Sequence, residues 1–147
     1  MKNLKFKIAA LALFGVVAVQ AQDLTMQEVP ANLNESFQKA YPQATDVEWE
    51  KEGTTYKVEF DANRMEHEIW YSENGNIVKT EKELAIADLP AAVTTALKTN
   101  YSKHKIDEVE MTEENGKKIY EVELEKMFSK DIELFMLDDG SIVEERM

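Results

Sequence analysis

The sequence predicts an α+β fold of two tandem repeats, each a helix followed by four antiparallel strands, with both helices on one face of the sheet. Three observations carry that expectation. The chain states one pattern twice, about 60 residues apart. Each copy opens on an apolar stripe at helical spacing. Each then continues in short alternating runs divided by glycine-containing turns.

The correspondence runs the length of the chain. Pro30, Leu33, Phe37 and Tyr41 return as Pro90, Val93, Leu97 and Tyr101, and Val47-Glu48 returns as Val109-Glu110. Tyr56, Val58 and Glu59 match Tyr120, Val122 and Glu123, and Gly75, Ile77 and Val78 match Gly140, Ile142 and Val143. The spacing grows in order from 60 to 65 residues, as it does when insertions fall in loops between conserved elements.

In the first copy Leu33, Phe37 and Tyr41 lie four apart, so they form one helical face; Val93, Leu97 and Tyr101 do the same in the second. Pro30 and Pro90 suit a first helical turn, where a missing N–H costs nothing. Asp88 is a candidate cap for the second helix, and Pro42 closes the first. The turns Glu52-Gly53, Asn74-Gly75, Asn115-Gly116 and Asp139-Gly140 then place strands near 46–51, 55–61, 66–72 and 76–81, and near 108–113, 118–125, 130–137 and 141–146. Tyr56, Val58 and Phe60 share one strand face, and Tyr120, Val122 and Leu124 another. A unit of roughly 60 residues is marginal alone because it buries too little of its surface. The simplest product of two such units is a continuous eight-stranded sheet whose second face is open to water.

Domain limits follow. Lys2, Lys5 and Lys7 precede an apolar run from Ile8 to Val19, and Val19-Gln20-Ala21 supplies small residues at a cleavage site. Residues 1–21 are therefore expected to be a signal peptide, cut after Ala21, because the apolar run falls short of the ~20 residues of a membrane span. Residues 22–27 read as a linker, 28–84 as repeat 1 and 85–147 as repeat 2, the repeats together forming one globular domain. The expected location is periplasmic or secreted, with no membrane insertion after cleavage.

Charge and composition narrow the function. The 147-residue chain carries 17 basic and 29 acidic residues, net −12; without residues 1–21 it loses three lysines and becomes −15. So acidic a surface argues against nucleic acid, which needs basic patches. It argues against anionic membranes too. Zero cysteines exclude thiol chemistry, disulfides and Cys-bound metal. No G-x-S-x-G, phosphate loop or dinucleotide fingerprint occurs. His67 and His104 have no companion base or nucleophile nearby in sequence, and alternation sends Glu66 and Glu68 to the strand face opposite His67. The LDDGS stretch at 137–141 lacks calcium-loop spacing. The expectation is no catalytic residue, no metal ligand and no cofactor.

The third strand of each copy is the most suggestive feature. EIWYS at 68–72 and ELFML at 133–137 are apolar at consecutive positions. If Ile69, Tyr71, Leu134 and Met136 serve the core, then Trp70, Phe135 and Leu137 face the open side. These three are the candidate binding residues, since aromatics on an uncovered sheet suit recognition. Trp49, sharing a face with Val47, reads as core.

A leader followed by two copies of (V/L)P-helix-Y, V-E-(W/M), G-x-x-Y-x-V-E and (N/D)-G-x-I-V resembles the PepSY-like, β-lactamase-inhibitor-protein-like family of small exported bacterial proteins, over residues 28–147. The resemblance implies tandem helix-plus-four-strand units in a curved sheet. It also implies protein binding on the sheet face that the inhibitor uses to grip an enzyme, or modulation of a peptidase. The chain departs from the inhibitor in having no cysteine, and no inhibitory contact matches residue by residue. The resulting expectation is a non-catalytic exported module binding a protein or peptide on the open face. The alternative is an acidic cation-binding or structural envelope protein.

Overall fold

The computed structural model describes residues 21–128 and 130–147. The expected signal peptide, apart from Ala21, lies outside them. Among the described residues nine strands pair antiparallel in chain order: β1 (Ala21–Leu24), β2 (Thr45–Glu52), β3 (Thr55–Ala62), β4 (Met65–Ser72), β5 (Ile77–Glu83), β6 (Lys105–Glu114), β7 (Lys117–Glu125), β8 (Ile132–Met136) and β9 (Ile142–Arg146). Helix α1 (Ala31–Ala40) precedes β2, and α2 (Ala91–Asn100) precedes β6 after a 3-10 turn at Ile86–Asp88. The architecture is the expected α+β repeat, with one strand more than expected. The segment read as a linker, 22–27, contributes β1, whose Leu24 lies opposite Trp49 on the edge of the sheet. Its exposed AQDL sequence carries no strand signal of its own.

The two units join edge to edge. Lys79 to Glu83 of β5 lie in register with Glu114 to Glu110 of β6. Cross-strand partners share a face, so the row Phe60–His67–Lys82–Met111–Tyr120–Met136 stays on one side of the whole sheet. Both helices cover that side, because residues of this row pack with α1 in unit 1 and with α2 in unit 2.

Each helix is set by its sequence in the same way. Pro30 and Pro90 are the N-cap residues, at φ −52° and −54°, and no side chain caps either helix. The proline carbonyl receives the first helical bonds, from Asn34 at 3.1 Å and from Thr94 at 3.0 Å. Asp88 therefore does not cap α2; it belongs to the preceding 3-10 turn. At the other end the N–H of Tyr41 donates to the Phe37 carbonyl and that of Tyr101 to the Leu97 carbonyl, both at 2.8 Å. Thr95 and Thr99 return their hydroxyls to carbonyls four residues back, at 2.8 Å each. Such bonds do little for a helix, so α2 is held by the buried Val93 and Leu97.

The two cores differ in chemistry. Under α1 the rings of Phe37, Tyr41, Trp49, Phe60 and Tyr71 meet, with Phe37 4.9 Å from Phe60 and 5.6 Å from Trp49 in edge-to-face geometry. Under α2 four of the equivalent places are held by Leu97, Met111, Leu124 and Met136, and the Tyr41 place keeps its ring as Tyr101. Trp49 is core, as its alternation predicts, although its Nε1 is buried without a hydrogen-bond partner among the described residues. Irregularities in the strand register repeat with the units. They occur at Thr45/Glu48 and Ile106/Glu108, then at Trp70/Tyr71 and Phe135/Met136. A bulge bends its strand and re-aims neighbouring side chains.

The turns behave as their sequences require, with Gly53, Gly75, Gly116 and Gly140 all at positive φ. The hairpin between β3 and β4 was not marked by glycine; Asn63 and Arg64 adopt φ 55° and 67° there instead. Two glycines separate conformational strain from close approach. Gly116 (φ +74°) has open space where a Cβ would stand, whereas a Cβ on Gly140 (φ +84°) would meet the Ala92 carbonyl oxygen of α2 at 2.6 Å. Gly116→Ala is expected to cost about 1 kcal/mol, the left-handed penalty alone. Gly140→Ala is expected to cost roughly twice that or more, because backbone must also shift. Urea unfolding of the two variants checks the order; equal costs would mean that α2 does not rest on this turn.

Candidate functional site

Among the described residues neither helix lies on the opposite face of the sheet, and its side chains form rows across the strands. One row reads Glu50, Lys57, Trp70, Lys79, Glu114, Lys117. The next reads Glu48, Glu59, Glu68, Glu81, Thr112, Ile119. A third begins in unit 1 with Asp61 and Glu66 and continues as Glu83, Glu110, Glu121, Phe135, Glu144. A fourth, in unit 2, holds Glu108, Glu123, Glu133 and Arg146.

The register puts Trp70 and Phe135 on the open face, as alternation predicts. Trp70 is half-buried: Lys79 Nζ lies 4.0 Å from its ring centre, Lys57 Nζ 6.0 Å, and its indole N–H donates to Glu52 Oε2 at 2.9 Å. Phe135 is not exposed as expected, having 0% of its surface accessible. The guanidinium of Arg146 lies 4.4 Å from its ring centre and lids it. Truncating Phe135 would thus open a cavity at a cost of about 3–5 kcal/mol rather than remove a contact to a partner. Leu137 is partly buried at the β8–β9 turn, where its N–H donates to the Ser141 carbonyl at 2.9 Å. The three residues do not form one patch; Trp70 and Phe135 stand on strands separated by β5, β6 and β7.

The electrostatics of this face are unusual for a surface sheet. Lys57 lies 3.2 Å from Glu50, 3.5 Å from Glu59 and 3.9 Å from Glu68, and Lys79 lies 2.8 Å from Glu81. Glu81 is only 9% exposed and also accepts from the Thr112 hydroxyl at 3.3 Å. Burial, then Glu81 and Glu59, outweigh the two lysines and push the Glu68 carboxyl up to about 7. Burial followed by Glu133 and Glu81 does the same to Glu121, also to about 7. Glu123 is raised by burial and by Asp107, Glu108, Asp131 and Glu133 around it.

Sequence reasoning missed one grouping. Glu66 and Glu68 do leave His67 for the other face, but there Glu59 joins them, and one oxygen of each lies within 4.8 Å of the others. Only the β3–β4 register brings Glu59 alongside, so local spacing gave no sign of it. The Lys57 ammonium already stands beside two of the three carboxylates. His67 is on the helix side, stacked on Phe60 at 5.2 Å with its pKa lowered, mainly by burial. His104 is less of a surface residue than its loop sequence suggests: it packs edge-on against Tyr101 at 5.8 Å, with Nδ1 buried. Elsewhere, a cleft of about 420 Å³ beside α1 is lined by Met26, Asn34, Phe37, Tyr41 and Val47, and the Asn34 Oδ1 is buried without a hydrogen-bond partner among the described residues.

Comparison with known proteins bears on this architecture. The family model described as "Putative beta-lactamase-inhibitor-like, PepSY-like" matches residues 16–79 and again 55–144. A BLIP-like protein from Bacteroides fragilis is 30% identical, with a TM-score of 0.60 over 78% of this chain and 82% of its own. A DUF2874 family protein from Bacteroides ovatus is 25% identical, with a TM-score of 0.64 over 80% and 86% of the two chains. A structure from Bacteroides eggerthii described as "putative periplasmic proteins" shares the fold at 17% identity, with a TM-score of 0.66 over 80% and 87%. No protein of curated function matches the sequence. No helix among the described residues is long and apolar enough to cross a membrane.

The raised carboxyls make stability depend on pH. Glu68 and Glu121 bind protons more tightly folded than unfolded between about 4.5 and 7, so over that window the folded state holds more protons and stability falls as pH rises. Glu68→Gln/Glu121→Gln is expected to be more stable than wild type at pH 8, by on the order of 1 kcal/mol or more, with the difference shrinking toward pH 4.5. Denaturant unfolding at pH 5 and pH 8 checks this; a variant less stable than wild type at pH 8 contradicts it.

Proposed function

Given that the chain belongs to the PepSY-like, beta-lactamase-inhibitor-like family, we propose that it is a non-catalytic exported module that binds a protein or peptide on the open face of its sheet. The observation that supports this most is a sheet face continuous through both units, crossed by no helix among the described residues, on which Trp70 stands half-exposed between two lysines. A large amphipathic ring flanked by charge is the arrangement that interface hot spots use. The partner in this reading is an envelope enzyme or peptidase that the module inhibits or modulates.

The non-catalytic reading rests on the family. The histidines lie off the open face, and the raised carboxyls Glu68 and Glu121 are on β4 and β7, with β5 and β6 between them. Export rests on the basic start, the apolar run and the Val19-Gln20-Ala21 site, with cleavage after Ala21. Cleavage there leaves Gln22 to Leu24 to pair with β2.

Capture from a cell-envelope extract tests the reading, with wild type, Trp70→Ala and the helix-side variant Gln38→Ala compared at equal loading. Proteins retained by wild type and Gln38→Ala are expected to fall at least about tenfold with Trp70→Ala, the loss of roughly 1.4 kcal/mol that a hot spot exceeds. Identical capture by all three removes the open face as the binding surface.

A further inference from the structure

The open face does not place its charges as a merely soluble surface would. Like charges directly opposite one another across strands are destabilising, and a soluble surface intersperses the two signs. Here Glu48, Glu59, Glu68 and Glu81 stand opposite one another over four strands. Glu83, Glu110 and Glu121 continue the pattern over the junction between the units. Lys57, Lys79 and Lys117 of this face belong to the neighbouring row with Trp70, Lys105 lies at the far end of the face beside Glu125, and Arg146 is on the edge strand.

The chain also displays what this face accepts. In unit 1 Lys79 lies over Trp70 and pairs with Glu81 at 2.8 Å. In unit 2 Arg146 lies over Phe135 and pairs with Glu144 at 2.6 Å. Each is a cation laid on an aromatic ring with a carboxylate beside it. Between these two places Glu83, Glu110 and Glu121 stand in register.

We propose that this junction, from Trp70 on β4 to Glu121 on β7, is the docking surface for a Lys/Arg-rich segment of a partner protein. The proposal rests on the binding role of the open face and gives that face its partner chemistry. Crossing from β4 to β7 covers about 14 Å at strand spacing, and Glu121 lies four residues along β7 from Lys117 of the Trp70 row, so the two ends stand roughly 19 Å apart. An extended segment of about six residues spans that and turns three alternate side chains toward the sheet.

Docking is also linked to protons. Glu68 is faced by Lys57 and Glu59 from β3 and by Lys79 and Glu81 from β5, with Glu66 beside it on β4. Glu121 is faced by Glu110 from β6, Glu133 and Phe135 from β8, Arg146 from β9 and, further off, Glu81 from β5, with Glu123 on its own strand. Incoming cations favour the ionised form of both carboxyls. Binding therefore releases protons near neutral pH and tightens as pH rises from 6 to 8.

Calorimetry tests this with two blocked hexapeptides, one of alternating arginine and tyrosine, the other of alternating glutamine and tyrosine. The basic peptide is expected to bind more tightly, to release protons at pH 7, and to lose at least tenfold in affinity with Glu83→Gln/Glu121→Gln. The helix-side variant Glu35→Gln/Asp88→Asn, with the same charge change, is expected to lose less than twofold. Equal losses in the two variants, or binding that weakens from pH 6 to 8, would overturn the proposal. If the neutral peptide binds as tightly and both need Trp70, the open face remains a binding surface and its basic partner is refuted. If neither peptide responds to Trp70→Ala, the proposed function falls as well.

Discussion

The pairing of β5 with β6 is the constraint on which the rest of the structure depends. Five residue pairs, Lys79–Glu114 through Glu83–Glu110, join two units that each carry a separate core. Because strand side chains alternate faces, this register decides on which side each helix falls. A slip of one residue would turn one unit over and put the two helices on opposite faces of the sheet. With the observed register both helices lie on one side, and the other side runs uninterrupted from β1 to β9. The gain is mutual: each unit is small enough to be marginal alone, and the junction removes one exposed edge from each.

That junction carries charge on its open side. Its open-face pairs are Lys79–Glu114, Glu81–Thr112 and Glu83–Glu110, and only the first is of opposite sign. Stability there comes from the backbone ladder and from Met111 on the helix side, while like charges on the open side act against it. A face that holds carboxyls at about 7 retains a cost in the unbound state, which proteins tolerate at surfaces they use. The proposed basic partner would relieve it.

Much of the fold was legible because the sequence writes its local rules twice. The Pro30 and Pro90 starts, the Leu33-Phe37-Tyr41 stripe with its copy, and the four glycine turns are short-range signals that tertiary structure did not override. The elements that escaped notice lacked such signals. β1 is an exposed AQDL stretch that becomes a strand only because β2 offers an edge. The Asn63-Arg64 hairpin turns without glycine. At the candidate site, alternation gave the facing of Trp70 and Phe135 correctly. It could not give accessibility, since the Arg146 lid over Phe135 depends on the β8–β9 pairing. The meeting of Glu59 with Glu66 and Glu68 was hidden for the same reason: registers between strands are not written in spacing along one strand.

Native-state hydrogen exchange on β5 and β6 tests the central claim most directly. If the nine strands form one cooperative sheet joined through this pair, the hydrogen-bonded amides between Lys79 and Glu83 and between Glu110 and Glu114 will exchange only by global unfolding, as slowly as those of β3 and β7. If β5 and β6 amides exchange rapidly while β3 and β7 stay protected, the units are independent. The continuous open face, and every function drawn from it, would then be wrong.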